Sequence, residues 1–240
     1  MKFKLTPLEK KWVLYDVANS AFTLLVSTIM PIYFNYLAGR GGLSSVDYLA
    51  YWGYATSLVT ILVAVLGPTL GTLSDLRGRK KRFFLGSVLI GSVSCVVLGF
   101  MQSWLWFLGL FVISKTAYSS SLVFYDAMLP DVTEDSRVDE VSSYGYAWGY
   151  IGSCIPFGVC LVLVLAYESI GISMEAAMVI AFFIIALWWL LGAVPLLRSY
   201  RQIHYVEAQH EPVRDSFRRL GKVFSELGRR PDILFFLLAF

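Results

Sequence analysis

Six apolar stretches of about twenty residues or more alternate with short polar segments, near residues 12–37, 48–73, 83–101, 104–129, 141–167 and 174–197. A helix needs about 20 such residues to cross the hydrocarbon core of a bilayer. The pattern therefore predicts an all-α membrane protein with six spans. A basic stretch over 198–230, Pro231, Asp232 and the short apolar run 233–240 follow the sixth span. That run is too short to cross a membrane, so it reads as the start of a truncated seventh helix. The expected organisation is a six-helix bundle over 1–197, a cytoplasmic central loop over 198–231, and the opening of a seventh span over 232–240. Within the loop, Val213, Phe217, Leu220, Phe224 and Leu227 recur every three or four residues among Arg214, Arg218, Arg219 and Lys222. This spacing predicts an amphipathic helix on the membrane face.

The polar residues inside the spans carry more information than the apolar ones. Asp16, Asn19, Ser20 and Thr23 share one face of the first span, with Ser27 a turn further on. In the fourth span Lys115, Ser119 and Asp126 share a face, with Tyr118 and Tyr125 beside it. A charge at the bilayer centre costs roughly 2.5–3.5 kcal/mol on insertion scales, so these stripes must face protein or water. Lys115 is too far from either end of its span to reach the headgroups. Asp16 and Asp126 are its partners by sign, but both should sit nearer the cytoplasmic face. A link through water or a conformational change is therefore expected rather than a direct salt bridge. In the fifth span Gly145, Gly149, Gly152, Pro156 and Gly158 surround Tyr146 and Trp148. Small residues there permit close helix crossing. In a three-plus-three inverted repeat the first and fourth helices hold equivalent places, and these are the two most polar spans.

Composition agrees with a membrane protein: 57% of residues are hydrophobic and 15% charged, against about 25% charged in soluble domains. Charge placement predicts orientation. Lys2, Lys4, Lys10 and Lys11, the basic residues of 77–82, Arg137 and those of 198–230 fall on one side, and Arg40 alone on the other. The positive-inside rule puts the N-terminus in the cytoplasm. Thr6, Pro7 and Glu9 have the spacing of an N-cap, a first-turn proline and a capping-box acid. The basic residues lie where anionic headgroups are, with no aromatic interleaving, so nucleic acid is not an expected partner. Cys95, Cys154 and Cys160 fall in spans, and His204 and His210 in the central loop, without metal-ligand spacing. The expectation is no metal, no cofactor and no catalytic residue. No phosphate-cradling G-x-x-x-x-G-K-[ST] segment is present, so energy should come from a gradient.

Residues 71–82 join the second and third spans. Gly71 suits close packing, Asp75 can pair with a cation or cap a helix, Gly78 supplies a turn, and Arg79, Lys80, Lys81 and Arg82 pin the loop. Together they resemble the G-x-x-x-D-x-x-G-R-[KR] loop of major facilitator transporters. The loop after the fourth span is acidic, with Asp131, Glu134, Asp135, Asp139 and Glu140. A charge contact between it and Arg79, Lys80 and Lys81 is expected to form a cytoplasmic gate.

Three further strings narrow the resemblance: 15–22 (YDVANSAF), 124–131 (FYDAMLPD) and 142–152 (SSYGYAWGYIG). They are similar to the vacuole-effluxer-like branch, named for an autophagy-related amino-acid exporter, except that Val17 stands where tryptophan is expected. The resemblance implies the N-terminal half of a twelve-helix carrier, with the C-terminal six helices as its missing partner. It implies alternating access for a small solute, an amino acid leaving the compartment. With no phosphate-cradling segment, the gradient expected to drive it is most simply one of protons, through Asp16 or Asp126. Asp16, Asn19, Ser20, Thr23, Lys115, Tyr118, Ser119, Asp126, Tyr146 and Trp148 are the expected pathway residues. Gly71, Asp75, Gly78, Arg79, Lys80 and Asp131 are the expected gate. Compact loops point to a bacterial plasma membrane. A lipid- or lysolipid-moving facilitator and a non-transporting scaffold or sensor are the alternative functions.

Overall fold

A computed structural model describes residues 4–207. The amphipathic helix expected around 213–227, the seventh span expected from 232, and His210 lie outside them. Six helices among the described residues are long and apolar enough to cross a membrane; this is an integral multi-pass membrane protein. The first span comprises α1 (Pro7–Leu24), a π-helical turn (Leu25–Ile29) and α2 (Met30–Arg40). The second is α3 (Ser45–Asp75), the third α4 (Lys80–Leu98), the fourth α5 (Trp104–Val132) and the fifth α6 (Val138–Leu165). A short α7 (Tyr167–Ile170) precedes the sixth span, α8 (Met174–Ser199).

Local chemistry accounts for the ends and the one irregularity. Thr6 accepts from the Glu9 backbone N–H at 3.3 Å, and Glu9 accepts from the Thr6 N–H at 2.7 Å. This is the capping box that the Thr6-Pro7-Glu9 spacing predicts. The π turn lies just before Pro31, which has no N–H to bond back to residue 27 and whose ring would press on that carbonyl. The chain answers with a wider turn, in which the Met30 N–H reaches Leu25 O.

The packing obeys an exchange rule. The first span packs on the fifth and sixth through α1; the fourth packs on the second and third; the third also packs on the sixth. Swapping spans one to three with four to six reproduces the same set of pairs, as a three-plus-three inverted repeat requires. The core runs along α1, α4, α5 and α8, where Tyr15, Phe22, Phe84, Phe111, Phe124 and Trp189 are fully buried. The second and fifth spans, equivalent under the exchange, are the most open. Only 6% of the apolar window of α3 is buried, against 56% for α5. Tyr54, Leu58 and Ile61 on α3, and Tyr146, Tyr150 and Ile155 on α6, are exposed.

The fifth span presses its glycines on the first. A Cβ on Gly145 would lie 2.8 Å from the Trp12 ring, and one on Gly149 3.0 Å from Ser20 Oγ. Gly152 meets the Val17 side chain in the same way. Gly158 departs from this face, since a Cβ there would meet nothing within 4 Å.

Candidate functional site

The first, fourth and fifth spans line an open-sided cavity of about 460 Å³ in the half of the bundle nearest the α3–α4 loop. Asp16, Asn19, Ser20 and Thr23 line it from α1, Tyr118 and Asp126 from α5, and Tyr146 from α6. These are seven of the ten residues expected along the pathway. Gly145 and Gly149 are part of its construction. With no side chain at 145, the Asp16 carboxylate comes within 3.0 Å of where a Cβ would stand.

A buried relay orients the wall. Asn19 Nδ2 donates to the Asp16 carboxylate at 3.2 Å and to Tyr15 O at 3.1 Å. Tyr118 donates its hydroxyl proton to Asn19 Oδ1 at 3.2 Å and shares a 2.6 Å contact with Thr23. Behind it, Trp189 Nε1 donates to the Tyr15 hydroxyl at 3.1 Å, and that hydroxyl lies 2.9 Å from Ser121 Oγ. Each donor is spoken for, so the rotamers of Asp16, Asn19 and Tyr118 are fixed in advance of any ligand.

Several lining residues went unforeseen. Trp12 and Tyr125 stack with ring centroids 4.2 Å apart and bond to each other's backbone carbonyls at 3.2 and 3.3 Å. They form one end of the cavity. From α6, Ser142, Tyr150 and Ser153 join Tyr146. The spacing 142, 146, 150, 153 is a helical stripe, legible in principle but hidden behind the glycine face.

Three expected pathway residues lie elsewhere. Lys115 and Ser119 line a separate cavity of about 280 Å³, with Thr56, Thr60 and Val59 of α3 and Val26 of the π turn. Lys115 Nζ stands 4.6 Å from the centroid of the Tyr118 ring. Trp148 lines neither cavity and is half exposed. It faces outward because it sits two residues from Tyr146, about half a helical turn away.

At the α3–α4 loop the gate residues divide. Gly78 adopts φ +71°, the left-handed turn that glycine makes without strain. Lys80 is buried, its Nζ 3.3 Å from Asp75, 3.8 Å from Asp131 and 2.9 Å from Ala127 O. Asp131 is buried at the end of α5 and accepts from the Tyr200 hydroxyl, from the Ile203 and His204 N–H groups at 3.1 and 2.7 Å, and contacts His204 Nδ1 at 2.8 Å. The segment 200–206 thus straps the loop. Gln202 donates to Asp75 O, the Val206 N–H donates to Asp75 O at 2.9 Å, and Arg77 lies over the Tyr205 ring.

The broad contact expected between the two loops narrows to Lys80 and Asp131. Arg79 and Lys81 are exposed and form no ion pair among the described residues. Arg137 turns to Glu9, with Nη2 2.8 Å from its Oε2, tying the acidic loop to the start of α1. A Cβ on Gly71 would meet nothing within 4 Å. Its small size serves no contact among the described residues.

Residues 16–240 match the sequence profile of the Major Facilitator Superfamily. The chain belongs to this superfamily. It is also 38% identical, over 245 residues, to a Bacillus subtilis (strain 168) protein described as an uncharacterized MFS-type transporter, YxiO. The match takes in all of this chain and 57% of that relative's length. Major facilitator proteins are transporters, not enzymes, and among the described residues no group of His, Cys, Asp and Glu is placed to hold a metal ion.

Proposed function

We propose that the whole protein, of which these six spans form one half, is a secondary transporter that exports amino acids by alternating access. The N-terminus is cytoplasmic and the membrane is a bacterial plasma membrane. Protons couple through Asp16 or Asp126. The reading draws the branch from the vacuole-effluxer-like strings at 15–22, 124–131 and 142–152. It draws the mechanism from one observation: two carboxylates from different spans line a single cavity beside an amide and two hydroxyls, Asn19, Tyr118 and Thr23, held by hydrogen bonds. A carboxylate inside a span is costly when charged. It therefore gains from holding either a proton or the ammonium of a solute, and exchange between the two is the chemistry an antiporter needs. The open faces of α3 and α6 would receive the other six helices, which would supply the far wall. The Lys80–Asp131 contact and the 200–206 strap would then stay with this half as it rocks.

The test uses the complete protein in proteoliposomes loaded with labelled amino acids. Efflux should rise several-fold when a pH gradient is imposed, and Asp16→Asn or Asp126→Asn should abolish that response. Flux indifferent to pH and to both substitutions would remove the coupling. No flux of any amino acid would remove the substrate class.

A further inference from the structure

The second cavity is small, but its chemistry is unlike that of the first. It lies between the second and fourth spans and the π turn of the first, deeper in the membrane than Asp16 and Asp126. Its walls are largely apolar, with Val26 and Phe111 among them. Its polar groups are the Lys115 ammonium and the hydroxyls of Ser119, Thr56 and Thr60. Lys115 forms no ion pair among the described residues, and its one close partner is the π face of Tyr118. Ser119, one helical turn along on the same face, has a hydroxyl free of hydrogen bonds among those residues. Thr56 and Thr60 donate to carbonyls of their own helix, bonds that a side-chain rotation releases.

An ammonium in mid-membrane is tolerated where water or an anion meets it. Lys115 and Ser119 offer two adjacent donors, and the apolar wall beside them suits a short alkyl body. Building on the solute-carrier reading above, we infer that Lys115 and Ser119 form a carboxylate subsite for small water-soluble carboxylic acids, distinct from the Asp16–Asp126 cavity. Tyr118 is the wall between the two. Its ring covers Lys115, while its hydroxyl is held in the first cavity by Asn19 and Thr23. Lys115 and Asp126 are roughly 16 Å apart along α5. One α-amino acid is far shorter than that, so it engages the two charges in turn and never together. The carboxylate end is read at Lys115 and the ammonium end at the aspartates.

Splitting the zwitterion tests this. The complete protein in nanodiscs is titrated with propionate, ethylamine and L-alanine, and binding is read as the shift in melting temperature. Propionate should stabilise the wild type. Its affinity should fall at least ~10-fold in Lys115→Gln, the size of a lost charged hydrogen bond, and hold within about threefold in Lys115→Arg and Asp16→Asn. Equal propionate affinity in the wild type and Lys115→Gln, or no propionate binding to the wild type, overturns the subsite. If Lys115→Gln does not fold, Ser119→Ala replaces it: a several-fold loss for propionate with ethylamine unchanged supports the subsite, and no loss rejects it. Oleate separates the sources of carboxylate. Binding of oleate with none of propionate would make the cavity a site for bilayer fatty acid and would reject the proposal. Propionate binding that depends on Lys115, without amino-acid flux, keeps this inference and removes only the export reading. Amino-acid flux without such binding does the reverse.

Discussion

The two ends of the bundle are held together by different physics. At the α3–α4 loop end, polar groups are buried and multiply bonded: Asp131 has no exposed side chain and Lys80 only 5%. Glu9, likewise buried, caps α1 and accepts from Thr133 and Arg137. At the other end, aromatic rings do the holding. Phe34, Phe107, Tyr33 and Phe182 contact one another, and Trp52 stacks on both Phe34 and Phe111. The ion pair there, Arg40 with Glu175 at 2.6 Å, is open to solvent, its side chains 56% and 28% exposed. A buried polar network tolerates one geometry, because any displaced group is left unsatisfied at cost. Apolar ring packing tolerates small shifts. The loop end thus joins spans two, three, four and six through polar bonds, while the other end is joined by packed rings.

The sharpest way to break this contrast is Asp131→Ala. It removes the acceptor for Tyr200, for two backbone N–H groups and for His204, and leaves Lys80 buried with the Ala127 carbonyl and the half-exposed Asp75 beside it. Removing one member of a buried pair costs about 3–5 kcal/mol. Remaining contact with Asp75 places the expected loss near about 3 kcal/mol, read as a lowered melting temperature in detergent. A loss no larger than that of a surface substitution would mean that the network does not hold the loop end together.

How much of this was legible beforehand follows from the same contrast. The polar faces of α1 and α5 stood out because a charge or amide in a lipid-crossing segment needs a reason, and Asp16, Asn19, Ser20, Thr23, Tyr118 and Asp126 do converge. Lys115 and Ser119 lie on the right face of α5 yet line another cavity, because a helix of 29 residues meets different neighbours along its length. Near Asp126 that face looks at α1 and α6; near Lys115 it looks at α3 and the π turn. Periodicity fixes azimuth, not neighbour. Tyr125 stood beside the polar face of α5 without being counted in the pathway, and Trp12 gave no sign of its part, since an aromatic residue at the start of an apolar stretch carries no polar signal. The strap at 200–206 was invisible for a different reason. Half of its contacts come from the backbone N–H groups of Ile203, His204 and Val206, over which any side chain could stand, and the polar side chains of Tyr200, Gln202 and His204 that complete it are ordinary in a loop.

Tyr200 gives a finer probe of the loop end, and one that responds to pH. Burial, together with donation to the Asp131 carboxylate, raises its phenol well above the ordinary tyrosine value. A group whose folded-state value is raised contributes stability fully present below its unfolded value, about 10, and loses it as pH rises beyond that. Tyr200→Phe should therefore cost about 1.5–3 kcal/mol near neutrality, the size of one hydrogen bond to a charged acceptor. It should also remove part of the decline in melting temperature above about pH 10. An unchanged alkaline slope in the variant would mean that this phenol is not what the strap loses.

Arg40→Ala completes the comparison from the weaker side. The pair with Glu175 is solvent-screened, and exposed pairs are worth about 0–1 kcal/mol. Glu175 also keeps the Tyr36 hydroxyl, which donates to it at 2.6 Å, so the carboxylate is not stranded. The expected loss is below about 1 kcal/mol and should shrink further as salt is raised. The rings beneath, Tyr33 with its hydroxyl on Met101 O and Phe107 against it, are untouched by the substitution and should hold this end in place. A loss as large as that of Asp131→Ala would put the two ends on the same footing. The charge would then be doing what the aromatic packing is credited with here, and melting curves of the two variants taken side by side decide between them.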